Sequence, residues 1–137
     1  MSSPVCMKMR SLGEMAMAFA LKRAYDPPEA GDGFRVLVDR LWPRGVRREA
    51  LAVDAWLKDV APSNALRQWL HEDVSRFSAF AEQYRGELRA DEAHQKAVGQ
   101  LLVWADTHPR VTLVYAARDP VHNHARVLLE YLQSLDA

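Results

Sequence analysis

The sequence has a single cysteine, Cys6, among its 137 residues. One cysteine cannot form a disulfide within the chain, and no spacing of cysteine and histidine matches a zinc site. The sequence therefore predicts no metal site, and a reducing, cytoplasmic setting fits it best. Cofactor motifs are missing too. The string Gly31-Asp-Gly33 lacks the Gly-Lys-Ser/Thr ending of a phosphate-binding loop and is interpreted as a turn, so no cofactor is expected.

Long apolar runs and an excess of charge are also missing. No run approaches the ~20 apolar residues of a membrane-spanning helix, so no membrane association is expected. Lys8 and Arg10 resemble the charged start of a signal peptide, but Gly13 and Glu14 interrupt the apolar core that should follow. Lys+Arg and Asp+Glu each number 18, which gives a formal net charge of zero. Binding of nucleic acid through bulk positive charge is therefore not expected, although arginines cluster at positions 40, 44, 47 and 48.

The composition is that of a globular domain, with 49% apolar and 26% charged residues over a length typical of one domain. Residues 1–16 are rich in methionine and serine and have no clear period. We expect them to form a mobile extension, and residues 17–137 to form the folded domain.

Patterns of strands and helices alternate along that domain. Apolar, β-branched runs predict strands over residues 18–22, 34–38 and 111–117, and the last is apolar on both faces and therefore central. Ser63 is a good N-cap for a short helix, and longer helices are predicted over 73–88 and 91–107, with Asp91–His94 as a solvated face. Asp119-Pro120 predicts the start of a last helix, and residues 51–60 fit a short strand or an irregular segment. The expected fold is α/β, a single compact layered domain with a small, mostly parallel sheet flanked by helices.

Two strand ends carry the residues that suggest a binding site. The second strand runs into Arg40-Leu-Trp-Pro-Arg44, and the last strand runs into Arg118, with Asn123 and His124 further on. If the two strands are parallel, these residues share one edge with a helix N-terminus, whose N–H groups favour anions. Arg40, Arg44 and Arg118 would then surround a pocket for phosphate or carboxylate, with the backbone N–H groups of residues 121–123 completing it. The alternative is that these arginines form structural ion pairs with Asp39, Asp59, Asp119 or Glu87.

Other candidates have weaker support. Trp42, between the arginines, is either part of an aromatic wall or a packing residue. Lys58-Asp59 places a cation and a carboxylate near Ser63, which is interpreted as a cap because no nucleophile elbow surrounds it. His124 is either an acid–base group or a hydrogen-bonding residue in a helical turn.

Four strings together resemble one family, the YeaO-like family, a branch of a bacterial domain-of-unknown-function family. They are Lys22-Arg-Ala-Tyr-Asp-Pro27, Val36-Leu-Val-Asp-Arg-Leu-Trp-Pro-Arg-Gly45, Trp56-Leu-Lys-Asp-Val-Ala-Pro-Ser63, and Leu113-Val-Tyr-Ala-Ala-Arg-Asp119 with Asn123-His-Ala125. The resemblance covers about residue 17 to the C-terminus and implies a compact cytoplasmic α/β domain, with no particular activity. The positions that match, and that are carried over as candidates, are Arg40, Trp42, Arg44, Lys58, Asp59, Arg67, Tyr115, Arg118, Asn123 and His124.

The chain departs from this larger family at one point. Other branches resemble it but carry Cys-His-Arg where this chain has Asn123-His124-Ala125. Asparagine is not a nucleophile here, so thiol chemistry does not carry over. Three hypotheses remain open: a basic pocket for a small anionic or phosphate-bearing ligand, an enzyme that uses His124 as its acid–base group with arginines stabilising negative charge, and a protein- or nucleic-acid-interaction module.

Overall fold

The structure, a computed structural model, describes residues 18–135, so the extension expected over residues 1–16 lies outside the described residues. The strands are β1 (Phe19–Arg23), β2 (Phe34–Leu37), β3 (Ala55–Trp56) and β4 (Val111–Tyr115). The helices are α1 (Arg48–Leu51), α2 (Asn64–Glu72), α3 (Phe77–Ala90), α4 (Glu92–Thr107) and α5 (His124–Ser134). Three short 3₁₀ turns lie at Ala30–Asp32, Lys58–Val60 and Val74–Arg76.

The four strands form one sheet in the order β1-β4-β2-β3, and every described strand pair is parallel. The predicted α/β fold with a small parallel sheet is confirmed. All five residues of β4 are buried, and β4 lies between β1 and β2, which confirms its predicted central position. Because the strands are parallel, their carboxyl ends meet at one edge of the sheet.

Side chains alternate between the two faces of the sheet and enter two cores. Val36 and Leu113 belong to the larger core, which also holds the buried residues of α2, α3, α4 and α5. Leu37 and Val114 belong to a smaller core with Leu51 of α1 and the partly buried tryptophans at positions 42 and 56. The sheet therefore carries its long helices on one face and a short helix with a loop on the other.

Most predicted elements are present, but the predicted start of the last helix is wrong. The helix begins at His124, with Asn123 as N-cap, and not at Asp119-Pro120. The Asp119 carboxylate instead accepts hydrogen bonds from the backbone N–H groups of Val121 and His122 and closes a separate turn. The prediction for residues 51–60 is confirmed, since they hold the two-residue strand β3 and a 3₁₀ turn.

A charged network joins the start of β2 to β1. Asp32 accepts from the Lys22 ammonium at 3.1 Å and from the Arg35 guanidinium at 2.7 Å. Burial opposes ionisation of Asp32, but hydrogen bonds from the Glu29 backbone, Lys22 and Arg35 outweigh it, so the pKa of Asp32 lies below its ordinary value. Arg35, at the start of the arginine-rich stretch, is therefore neutralised far from the carboxyl edge.

Gly33 joins this network to β2, and we expect Gly33→Ala to lower the free energy of unfolding by about 2–4 kcal/mol. Gly33 has φ of +65°, and a Cβ there would lie 2.5 Å from the carbonyl oxygen of Arg110. The matched control is Gly31→Ala, where a Cβ meets nothing within 4 Å. Chemical denaturation of both variants measures the effect, and equal losses of stability would contradict this explanation.

Candidate functional site

A cleft of about 620 Å³ opens at the carboxyl edge of the sheet. It lies where β2 and β4 end, because its lining includes Asp39 and Arg40 after β2 and Ala117 and Arg118 after β4. The opposite wall comes from the Ala61–Pro62 segment and from α2. This is the position at which ligands bind in open sheets of parallel strands.

The floor of the cleft holds an aspartate–histidine pair. Asp39 Oδ2 accepts from the Ala116 backbone N–H at 3.0 Å, which joins the ends of β2 and β4. His124 Nε2 lies 3.0 Å from the Val38 carbonyl oxygen and 3.2 Å from Asp39 Oδ1. One N–H cannot bond fully to both acceptors, and Asp39 Oδ1 is buried without a hydrogen bond of its own. The Tyr84 ring lies edge-on to His124, and burial raises the pKa of its phenol well above the ordinary value.

The Arg40 guanidinium is held at the cleft wall by backbone carbonyls. Its Nε donates to Pro62 O at 3.3 Å and its Nη2 donates to Ala61 O at 3.1 Å. Neither partner carries a charge, so both hydrogen bonds fix the position of Arg40 and leave its positive charge uncompensated.

The His94 ring supports the same wall from behind. The Nε2 of His94 lies 2.7 Å from the Ala61 carbonyl oxygen, and its Nδ1 lies 2.7 Å from Asp91 Oδ2. The His94 ring therefore bridges the Ala61 carbonyl and the Asp91 carboxylate. The hydrogen bond from His94 is the main reason that the pKa of Asp91 is lowered. The prediction that Asp91–His94 forms a solvated face is wrong for His94, which is 6% exposed.

Two more arginines line the cleft. Arg67 on α2 approaches only the Asn64 amide oxygen, at 3.5 Å, and its Nε is buried without a hydrogen bond. Arg118 is exposed in the loop after β4. Within residues 18–135, no ion pair joins Arg40, Arg67 or Arg118 to a carboxylate. Arg44 has no such pair either, so the alternative of structural ion pairs with Asp39, Asp59, Asp119 or Glu87 is not observed among the described residues, and Glu87 instead accepts from Ser63.

The loop before α5 uses most of its own polar groups. Asn123 is buried, its Oδ1 accepts from the Arg126 backbone N–H at 2.8 Å, and its Nδ2 donates to Asp119 O at 2.8 Å. The backbone N–H groups of Val121 and His122, which were expected to bind the anion, donate to Asp119 Oδ1 at 2.9 and 3.0 Å. The side chain of Asn123 thus caps α5, and the N–H groups of Val121 and His122 are already bonded within the turn.

The structure brings five of the ten sequence-derived candidates into the cleft, namely Arg40, Arg67, Arg118, Asn123 and His124. The other five lie elsewhere. Trp42 donates from its indole to Val46 O, Lys58 lies over the Trp56 ring at 4.2 Å, and Asp59 and Tyr115 line two separate cavities. Arg44 is exposed and its carbonyl accepts from Tyr25.

Sequence reasoning missed Asp39 and His71 as lining residues. Asp39 could have been predicted as a lining residue, because it follows directly after the apolar run that ends a strand. His71 lies four positions after Arg67 on α2, a spacing that places both side chains on one face of the helix.

Residues 18–135 contain no group of three or more His, Cys, Asp or Glu side chains placed to hold a metal ion. No helix in this part of the chain is long and apolar enough to cross a membrane.

The Asp119 turn gives a prediction on pH. Backbone hydrogen bonds from His122 and Val121, and then the His122 ring, lower the pKa of Asp119 from 3.8 to about 2. Since the folded-state pKa is depressed, the stabilisation is present above the ordinary pKa and is lost as the pH falls towards 2. The stability difference between wild type and Asp119→Ala should therefore shrink across this range in thermal unfolding. An NMR titration of the carboxyl carbon with a midpoint near 3.8 contradicts the prediction.

Comparisons with known proteins agree with the resemblance noted in the sequence. Residues 18–136 match the family model described as the inactive DUF488-N3 subclade. Uncharacterized protein YeaO of Escherichia coli is 44% identical over 119 residues, which are 87% of this chain and the whole of that protein. Uncharacterized protein Rv3073c of Mycobacterium tuberculosis is 42% identical over 110 residues, or 80% of this chain and 89% of that protein. No solved structure matches the chain. The chain belongs to the YeaO-like family, within the inactive DUF488-N3 subclade.

Proposed function

We propose that the cleft binds a small organic anion, with a phosphate or carboxylate group held by the guanidinium groups of Arg40, Arg67 and Arg118. The observation that carries the proposal is that all three line one cleft and none has a carboxylate partner among residues 18–135. Other arginines in the same range, such as Arg35 and Arg85, do form such pairs. Arginine without a counter-ion in a cleft is suited to bidentate binding of an oxyanion.

The acidic residues of the cleft support this proposal because their oxygens are already engaged. Asp119 accepts from two backbone N–H groups and from the His122 ring at 2.9 Å. Asp39 accepts from the Ala116 backbone and lies beside His124. Neither carboxylate is within ion-pair distance of a cleft arginine, so the arginine charges remain available to a ligand. The cleft volume of about 620 Å³ is within the usual range for organic ligands.

A binding role is favoured over a catalytic one. The position before His124 holds a buried, fully bonded asparagine, and Nε2 of His124 is engaged by the Val38 carbonyl and Asp39. The matching family is described as inactive, which agrees with ligand binding without turnover. We further propose that the protein acts in the cytoplasm, as its single cysteine and lack of apolar runs suggest.

An enzyme that uses His124 remains the second candidate, because a buried Asp39–His124 pair is an arrangement that orients a histidine for acid–base catalysis. Its test is turnover of phosphate and carboxylate esters by wild type and by His124→Gln. Turnover that is lost in the variant, while anion binding persists, supports catalysis; equal or absent turnover in both proteins excludes it.

The binding proposal predicts that Arg118→Ala and Arg67→Ala each weaken binding of phenyl phosphate about tenfold or more, since a hydrogen bond to a charged group contributes about 1.5–3 kcal/mol. Isothermal titration calorimetry at fixed ionic strength measures the affinity. The matched control is Arg44→Ala, which removes an exposed arginine of the neighbouring loop that does not line the cleft.

Equal weakening in all three variants would show that only general surface charge attracts the anion. Unchanged binding in Arg67→Ala and Arg118→Ala would place the anion outside the cleft. A thermal-shift measurement provides an independent check on binding, because ligand at a hundred times its dissociation constant stabilises the folded state by about 2.7 kcal/mol. The melting temperature without ligand shows whether each variant is folded.

A further inference from the structure

The cleft combines its arginines with an apolar surface. Leu70 of α2 and Phe80 of α3 line its interior, together with Pro62 and Ala117. A simple inorganic anion uses none of this surface, whereas a ligand with an apolar body covers it. The apolar lining therefore indicates that the ligand has an apolar part as well as a negative charge.

Two exposed apolar residues lie at the mouth of the cleft. Leu41, in the loop after β2, is 62% exposed, and Val74, in the 3₁₀ turn after α2, is 78% exposed. Both line the same cleft as the arginines, although they come from different parts of the chain. Exposed apolar residues are ordinary when scattered singly, but two that flank one cleft form a continuous surface with its interior. Such a surface is stabilised when a ligand covers it.

The charges of the lining indicate a ligand with one negative charge. Arg40, Arg67 and Arg118 contribute three positive charges, and Asp39 and Asp119 contribute two negative charges, which leaves one positive charge when the three lining histidines, at positions 71, 122 and 124, are counted as neutral. A carboxylate carries a single negative charge at neutral pH, whereas a phosphate ester carries nearly two.

We infer that the ligand of this cleft is an apolar carboxylic acid, whose carboxylate pairs with the arginines and whose hydrocarbon body covers Leu41, Leu70, Val74 and Phe80. This inference rests on the proposed function and narrows it from small anions in general to one class. The ligand enters with its carboxylate towards the arginines and leaves its apolar end between Leu41 and Val74 at the mouth.

The test compares hexanoate with acetate and inorganic phosphate at equal ionic strength and neutral pH, by calorimetry and by NMR mapping of backbone amides. Hexanoate is expected to bind at least about tenfold more tightly than acetate, because the added methylene groups leave water. The variants Val74→Ser and Leu41→Ser should remove most of this advantage and leave acetate binding unchanged. Val103→Ser is the matched control, since Val103 is 56% exposed on α4 and does not line the cleft.

The outcomes separate this inference from the proposed function. If acetate, phosphate and hexanoate bind equally and all weaken in Arg118→Ala, the cleft is an anion site and the apolar inference is overturned. If hexanoate binds but Val74→Ser and Leu41→Ser change its affinity no more than Val103→Ser does, the hydrocarbon chain of hexanoate lies elsewhere. The inference is then again overturned. If no anion binds, or Arg118→Ala changes nothing, both the inference and the proposed function fail.

Discussion

The parallel pairing of β2 with β4 is the constraint on which the rest of the carboxyl edge depends. It places the residue after each strand side by side, so that Asp39 reaches the backbone N–H of Ala116 across 77 residues of sequence. It also exposes the Val38 carbonyl to His124 at the start of α5. Antiparallel pairing would send these two strand ends to opposite edges, and no such site would form.

The wall of the cleft is held by side chains that bond to the backbone. The Ala61 carbonyl oxygen lies 3.1 Å from Nη2 of Arg40 and 2.7 Å from Nε2 of His94, so one backbone oxygen fixes the positions of two side chains. The other ring nitrogen of His94 lies 2.7 Å from Asp91 Oδ2, which holds the ring in place. Arg40 has no carboxylate partner among residues 18–135, and its two hydrogen bonds to backbone carbonyls fix its position before any ligand arrives.

Much of the fold could be predicted from the sequence, because it follows from local patterns. The apolar run of β4 indicated a central strand, and Ser63 indicated a helix start, where its hydroxyl does accept from the Leu66 N–H. The start of α5 could not be predicted in this way. Asp119 and Asn123 are both good N-caps by residue type, and only the contact of His124 with Val38, distant in sequence, decides between them.

The site was predicted less completely than the fold for the same reason. The strand pattern predicted the edge of the sheet at which the site lies and the presence of Arg40 there. It does not predict the direction of a side chain in an irregular loop. Arg44 lies four positions after Arg40, yet Gly45 at φ +77° reverses the chain there and Arg44 remains outside the cleft. Arg67 enters from α2, whose position is set by packing against α3 in the larger core.

The two hydrogen bonds of Asn123 limit which side chains can replace it. Both ends of its amide form hydrogen bonds: the oxygen accepts from the Arg126 backbone N–H, and the nitrogen donates to the Asp119 carbonyl oxygen. An aspartate would keep the first bond and place a negative charge against the carbonyl, while a cysteine or serine would be too short to make both contacts. A serine or cysteine would therefore lose the bond to the Asp119 carbonyl, which joins the start of α5 to the turn before it.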